Sequence, residues 1–163
     1  MDKIPSFTVN HIDLLRGVYV SRKDQVGTDD APQILTTFDI RMTLPNREPV
    51  INTAEIHAIE HLGATFLRNS DTYKDQVIYF GPMGCRTGFY LIMKGDLSPK
   101  EIIPLLVSMF QFIADFTGDI PGATARDCGN FRDMNLPMAR LIAKLFLENT
   151  LIGIDDSQMI YPE

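Results

Sequence analysis

The sequence has few cysteines, no long hydrophobic run and no excess of positive charge. Two cysteines in 163 residues are too few for a disulfide framework, which favours a reducing compartment. No apolar run reaches the ~18 residues of a membrane-spanning helix, and the first residues lack the apolar segment of a secretory signal. Fifteen Lys and Arg against 21 Asp and Glu give a net charge of −6, which disfavours a nucleic-acid partner. We therefore expect a cytoplasmic protein that binds neither nucleic acid nor membranes.

The composition is that of an ordinary globular domain. Hydrophobic residues make up 45% of the chain and charged residues 22%, which excludes a disordered chain. A chain of this length can bury roughly 70% of the surface that its unfolded form exposes, so a core can form without disulfides. No internal repeat, low-complexity segment or linker interrupts the sequence, and we predict one domain over residues 1–163.

Alternating hydrophobicity predicts several strands. Residues 36–43 alternate between apolar and polar side chains, a period of two that indicates a half-buried strand with Arg41 on its polar face. Shorter segments rich in strand formers lie at 18–20, 77–80 and 89–93, and a turn is expected at 27–30.

Other segments show the spacing of helices. Apolar residues recur every three or four positions over 56–66, after Thr53, which is a suitable N-cap. Ser98 and Glu101 form a capping-box pattern before a longer apolar stripe, and Asn135 opens the last helix. Strands mixed with helices, without regular alternation, predict an α+β fold of two layers with helices packed on one face of an antiparallel sheet.

His57 and His61 lie four residues apart in the first predicted helix, and Glu60 lies between them. Residues at this spacing share a helix face, so both imidazoles can bind one metal ion while the carboxylate exchanges protons there. This is the H-x-x-E-H pattern of the inverted zincins, and chance produces it in only about a few in a thousand chains of this length. Two histidines on a helix surface are the alternative. The rarity of the pattern favours an inverted-zincin-like metal helix.

The two cysteines are further candidates, each with a structural alternative. A catalytic metal site needs a third protein ligand, which either Cys128, before a glycine, or a downstream carboxylate can provide. Cys128 can equally be a small buried hydrophobe. Cys85 lies in a glycine-rich loop beside Arg86, which favours a reactive thiolate, and an inert loop cysteine is the alternative. His11 and Arg41 are uninformative by themselves.

Several blocks of sequence together resemble one known family. They are, in chain order, Ser6-Phe7 with His11, residues 26–29, 38–41, Pro45-Asn46, 57–62, 82–91 and 128–130. Their order and spacing resemble the S-ribosylhomocysteine lyase (LuxS) family over nearly the whole chain. A metal-binding helix, a Met-Gly-Cys loop and a Cys-Gly-Asn loop in that order make the resemblance specific.

The resemblance implies a cytosolic homodimer with its sites at the subunit interface. The family cleaves S-ribosylhomocysteine to homocysteine and 4,5-dihydroxy-2,3-pentanedione, the precursor of the signal autoinducer-2. One divalent metal ion per subunit is implied, iron(II) in the family, with zinc or cobalt as substitutes. By the resemblance, the metal ligands are His57, His61 and Cys128, the acid–base residues are Cys85 and Glu60, and the substrate-lining residues are Ser6, His11 and Arg41.

The chemistry of the family fits these residue types. A carbonyl shifted along the sugar makes the thioether sulfur a β-leaving group, a metal ion can polarise that carbonyl, and two acid–base groups can move protons on carbon and on oxygen. The sequence departs from the family at Asn10, where Asp is usual, and at Tyr79, where Asp is frequent. We expect these changes to affect substrate contacts rather than chemistry.

An inverted-zincin-type metallopeptidase and a non-catalytic metal-stabilised domain are the alternative functions.

Overall fold

The computed structural model describes Asp2, Ile4 and residues 7–163. Two short turns follow the last regular helix: a π-helical one, Leu147–Leu151, and a 3-10 one, Asp156–Gln158. Among the described residues, no helix is both long and apolar enough to cross a membrane. The regular elements are, in order, β1 (Gly17–Thr28), β2 (Ala31–Arg41), α1 (Thr53–Arg68), β3 (Val77–Pro82), β4 (Gly88–Lys94), α2 (Pro99–Asp115) and α3 (Leu136–Phe146).

The four strands form one antiparallel sheet in the order β1-β2-β4-β3. β1 and β2 make a hairpin in which Thr28 pairs with Ala31, at the turn predicted for residues 27–30. At the other end of β2, Arg41 pairs with Gly88, the first residue of β4. The loop between β3 and β4, which contains Cys85, therefore lies beside the end of β2. These elements confirm the predicted α+β fold with an antiparallel sheet.

One face of the sheet packs with the helices into a single hydrophobic core. Phe38 and Ile40 of β2 and Phe89, Leu91 and Met93 of β4 lie in this core. Each fully buried side chain of this size contributes about 1.5–3 kcal/mol, so the core fixes the position of the helices against the sheet. The helices contribute, among others, Ile59 and Leu62 of α1, Leu106, Met109 and Ile113 of α2, and Ala139, Ala143 and Phe146 of α3.

The first helix begins one residue earlier than the sequence predicted. Its N-cap is Asn52 rather than Thr53, because Asn52 has an extended backbone (φ −69°, ψ 164°) and its carbonyl accepts from Ile56 N–H over 3.0 Å. The Ile51 N–H donates to the Arg86 carbonyl over 3.0 Å, which holds the chain extended up to the helix. The same contact ties the start of α1 to the loop that contains Cys85.

The prediction of a half-buried strand is wrong for the end of β2. Residues 36–41 are all buried, and Asp39 and Arg41 expose only 1% and 3% of their surfaces. Tyr161, near the C-terminal end, covers the face of the sheet opposite the core, and its ring stacks on Tyr19 with 4.8 Å between ring centroids. Local alternation cannot reveal this, because the covering side chain lies 122 residues after Asp39.

Candidate metal centre and reactive thiol

His57, His61 and Cys128 are brought together in a group that can hold a metal ion. Their ligand atoms all lie within 4.8 Å of one another. α1 presents the two histidines one turn apart, with 4.8 Å between ring centroids. The segment between α2 and α3 provides Cys128, whose Sγ lies 3.4 Å from Nε2 of His57. All three side chains are half-buried, so this position of Cys128 favours a ligand over a buried hydrophobe.

Backbone carbonyls orient both imidazole rings. Nδ1 of His57 lies 3.0 Å from the Asp133 carbonyl, and Nδ1 of His61 lies 2.7 Å from the Pro121 carbonyl. Because a carbonyl only accepts, each Nδ1 holds the proton and each Nε2 keeps the lone pair that binds a metal. Gly122, with φ 73°, permits this approach, since a Cβ there would lie 3.3 Å from Nδ1 of His61.

The loop around Cys128 is closed by hydrogen bonds that hold its sulfur beside His57. The Cys128 N–H donates to the Thr124 carbonyl over 3.0 Å, and the Thr124 hydroxyl donates to the Asp127 carboxylate over 2.8 Å, which closes a tight turn. The Asn130 N–H donates to the sulfur over 3.4 Å, which fixes the position of Sγ. Two neutral imidazoles and one thiolate fit divalent ions such as iron, cobalt and zinc.

Glu60 lies on α1 between the two histidines and is half-buried. Its carboxylate makes no hydrogen bond or ion pair with any residue that the structure describes. Residues three apart on a helix are neighbours on its surface, so Glu60 lies on the side of α1 that carries His57. A carboxylate without a fixed partner can exchange protons with a ligand held there.

The sulfur of Cys85 faces Thr87 and Arg41. It lies 3.0 Å from Oγ1 of Thr87 and 3.8 Å from Nη1 of Arg41. Desolvation opposes ionisation, but the hydrogen bonds from Thr87 and the positive charge of Arg41 outweigh it and lower the pKa of Cys85 below the ordinary thiol value. Cys85 forms no disulfide and is exposed. These properties are typical of a reactive thiol rather than an inert loop cysteine.

Arg41 is held in place by Asp39 and Thr87. Its Nε donates to Oδ1 of Asp39 over 3.1 Å, Nη2 donates to Oδ2, and Nη1 donates to Oγ1 of Thr87 over 2.5 Å. Gly88 permits this arrangement, because a Cβ there would lie 1.9 Å from the Ile40 carbonyl oxygen and would push β4 away from β2. No role for Asp39 or Thr87 is predicted from the sequence. The available signal for Asp39 is that it lies two residues before Arg41, on the same face of the strand. The available signal for Thr87 is that it lies two residues after Cys85 in the loop.

The residues expected to line the substrate are not gathered within the described part of one chain. Ser6 lies outside the described residues. His11 is half-buried, with Nδ1 2.8 Å from the Val9 carbonyl. No hydrogen bond, ion pair or ring contact among the described residues joins His11 to Arg41, or joins the metal-binding group to Cys85.

The two departures from the family have structural partners. The amide of Asn10 donates to the Asp13 carboxylate over 2.9 Å and to the carbonyl of Glu163 over 2.8 Å. Tyr79 is 46% exposed, and its hydroxyl lies 2.0 Å from where a Cβ of Gly81 would be. A side chain at position 81 would therefore require the exposed end of Tyr79 to move.

Comparison with known proteins agrees with the geometry. The model of the family described as S-Ribosylhomocysteinase (LuxS) matches residues 4–157. The S-ribosylhomocysteine lyase of Clostridium acetobutylicum is 61% identical over 163 residues, which is 100% of both chains. The lyase of Clostridium beijerinckii is 60% identical over 162 residues, 99% of both chains, and that of Porphyromonas gingivalis is 51% identical over 163 residues, 100% of both. With family and relatives matched over nearly its full length, the chain belongs to the S-ribosylhomocysteine lyase (LuxS) family.

Proposed function

We propose that this chain cleaves the thioether of S-ribosylhomocysteine with a metal ion held by His57, His61 and Cys128, and with Cys85 and Glu60 as proton-transfer groups. Membership of the family makes the chain a carbon–sulfur lyase for this substrate, with homocysteine and 4,5-dihydroxy-2,3-pentanedione as products. One observation supports the assignment of residues above all others: two ligand atoms from α1 and one from the distant Cys128 segment all lie within 4.8 Å of one another. The relatives are lyases rather than peptidases, so the metallopeptidase alternative is not favoured.

The donor set suits a catalytic metal site. His57 and His61 present Nε2 from rings that are held through Nδ1, and Cys128 adds a soft thiolate. Three protein ligands leave one tetrahedral position open for substrate, as in the metal helices of inverted zincins. When bound, a divalent ion supplies a Lewis acid for the sugar carbonyl. Iron(II), the metal of the family, is the ion that we propose.

Cys85 and Glu60 divide the proton transfers between carbon and oxygen. Arg41 and Thr87 stabilise Cys85 as a thiolate, and this charged base removes and returns protons on the sugar carbons. Glu60 moves protons between sugar oxygens and protonates the leaving sulfur. The net reaction consists of two isomerisations and one elimination, so it requires no redox cofactor.

Both cysteines are free, which agrees with a reducing compartment, and the proposal places the enzyme in the cytoplasm.

We further propose that a homodimer completes the site, with Ser6, His11 and Arg41 lining the substrate. Among the described residues, no hydrogen bond, ion pair or ring contact joins the metal-binding group to Cys85 within one chain. The sheet face opposite the core also contains an open cavity of about 430 Å³ between Tyr79, Tyr90 and Ile92. Sedimentation at micromolar concentration is expected to give about twice the chain mass of 18.4 kDa. A single species with the mass of one chain would contradict the dimer.

A thiol assay tests the function directly. Freshly purified, anaerobic protein is incubated with S-ribosylhomocysteine, and released homocysteine is measured against a blank without substrate, which corrects for the protein's own thiols. We expect many equivalents of homocysteine per chain, loss of release after chelator treatment, and recovery with iron(II). Metal-loaded protein that releases no homocysteine contradicts the proposal, and cleavage of peptides instead would support the metallopeptidase.

A further inference from the structure

The buried carboxylate of Asp39 is held from two directions. One side binds Arg41 through Nε and Nη2, and from the other side the Tyr161 hydroxyl donates to Oδ2 over 2.8 Å. Asp39 is 1% exposed, so water cannot replace a lost partner easily. Removing a donor from a buried charged group leaves it undersatisfied, which is more costly than the mean value of a hydrogen bond.

The position of Arg41 is transmitted to Cys85. A guanidinium is a rigid planar fork, so fixing Nε and Nη2 on Asp39 also fixes the direction of Nη1. This third nitrogen donates to Oγ1 of Thr87 over 2.5 Å and lies 3.8 Å from Sγ of Cys85. Because Thr87 Oγ1 accepts from Arg41, its own proton is available for the sulfur 3.0 Å away.

Tyr161 is itself anchored. Its ring stacks on Tyr19 at 4.8 Å with 9° between the ring planes, and the Tyr19 hydroxyl donates to the Leu15 carbonyl over 3.1 Å. Beyond Tyr161, the carbonyl of Glu163 accepts from the Asn10 amide over 2.8 Å. The C-terminal residues 161–163 are thus held against the domain at two points, by the ring stack at Tyr161 and by the hydrogen bond at Glu163.

We propose that Tyr161 is a positioning residue for Cys85, acting through Asp39 and Arg41 to keep the guanidinium on the thiolate. The Tyr161 hydroxyl donates to Asp39, and the positive end of this O–H dipole partly offsets the negative charge of the carboxylate. The carboxylate then neutralises less of the positive charge of Arg41. More of the positive charge of Arg41 then acts on Cys85. This inference rests on the proposed role of Cys85 as base, but its main test does not require turnover.

The other titratable groups around this chain of contacts do not replace Tyr161. Tyr90 of β4 and Tyr19 of β1 are two other tyrosines that the charge of Asp39 affects, and burial followed by this charge raises the pKa of each, to about 12 for Tyr19. Both are therefore neutral near pH 7 and contribute no charge to Cys85. Of these tyrosines, only Tyr161 donates to Asp39.

The test is the rate of alkylation of Cys85 by iodoacetamide as a function of pH, with metal-loaded protein and with the Cys85 peptide quantified by mass spectrometry. Only the thiolate reacts, so the midpoint reports its pKa. In Tyr161→Phe the ring stack stays and only the hydroxyl is lost. We expect the midpoint to rise by about 0.5–1 pH unit, with an unchanged rate at high pH. The acid limb of kcat/KM should move by the same amount.

Tyr19→Phe is the matched control, because it also removes a hydroxyl from this ring stack. The Tyr19 hydroxyl donates to the Leu15 carbonyl rather than to Asp39. We expect its midpoint to equal that of the unmodified protein. An unchanged midpoint in Tyr161→Phe overturns the inference, as does an equal shift in Tyr19→Phe. Failure of the proposed function is distinct, because it appears as absent homocysteine release whatever the alkylation profile shows.

Discussion

Cys85→Ala is expected to abolish exchange of the C2 hydrogen of S-ribosylhomocysteine with deuterated water. Thr87 and Arg41 lower the pKa of Cys85 despite partial burial, so a larger fraction of Cys85 than of an ordinary thiol is the thiolate that can remove this proton. Alanine leaves no other group in the Cys85 loop that can do so. A positioned general base contributes 10²–10⁴-fold, so homocysteine release should fall by about this factor. The exchange is followed by proton NMR in deuterated water.

Glu60→Gln is expected to give a different defect. The amide cannot exchange protons on oxygen, but Cys85 and the three metal ligands remain intact. The first carbon proton should still exchange, and a ketone intermediate should accumulate while homocysteine release falls by about 10²–10⁴-fold. The intermediate can be detected by NMR with carbon-13-labelled substrate.

Both variants require their metal content as a control, because neither residue is a proposed ligand. Each should retain the metal content of the unmodified protein. Wild-type C2 exchange in Cys85→Ala would show that Cys85 is not the base. Complete loss of exchange in Glu60→Gln with normal metal content would show that the division of roles between carbon and oxygen is wrong.

Replacing any of His57, His61 and Cys128 is expected to remove most of the bound metal. Each provides one ligand atom of a group that spans 4.8 Å, and two remaining ligands hold a divalent ion weakly. Cys128→Ala should be no milder than His61→Ala, because it removes the only anionic ligand. The measurement is metal per chain after dialysis, together with the melting temperature. Added metal should raise this temperature in the unmodified protein and hardly at all in the variants.

Cys85→Ala is the matched control for Cys128→Ala, since it removes the chain's other thiol. It should retain its metal and its metal-dependent rise in melting temperature. A Cys128→Ala protein that holds one equivalent of metal through dialysis would contradict the ligand assignment, and a downstream carboxylate would then be the third ligand.

The local elements could be predicted from the sequence because their causes are local. The Ser98–Glu101 capping box and the apolar stripes of the helices depend on residues a few positions apart, and the structure contains them. The alternating sequence of residues 36–43 also predicts the strand β2, but the end of this strand is buried on both faces rather than on one. The H-x-x-E-H pattern likewise requires only one helix, so it placed His57 and His61 on one face. The N-cap of α1 is Asn52 rather than the predicted Thr53, and just before it the Ile51 N–H donates to the distant Arg86 carbonyl, a contact that no local pattern encodes.

The sequence by itself therefore determined the strands, the helices, the pair of histidines and, through its ordered blocks, the resemblance to the LuxS family. Only the tertiary structure decided which groups act on one another. Cys128 reaches His57 across 71 residues, Arg41 reaches Cys85 across 44, and Tyr161 reaches Asp39 across 122. Such contacts depend on how the hydrophobic core packs the helices on the sheet and on where the chain ends return. No local periodicity encodes that packing, so the charge environment of Cys85 could not be foreseen from its neighbours in sequence.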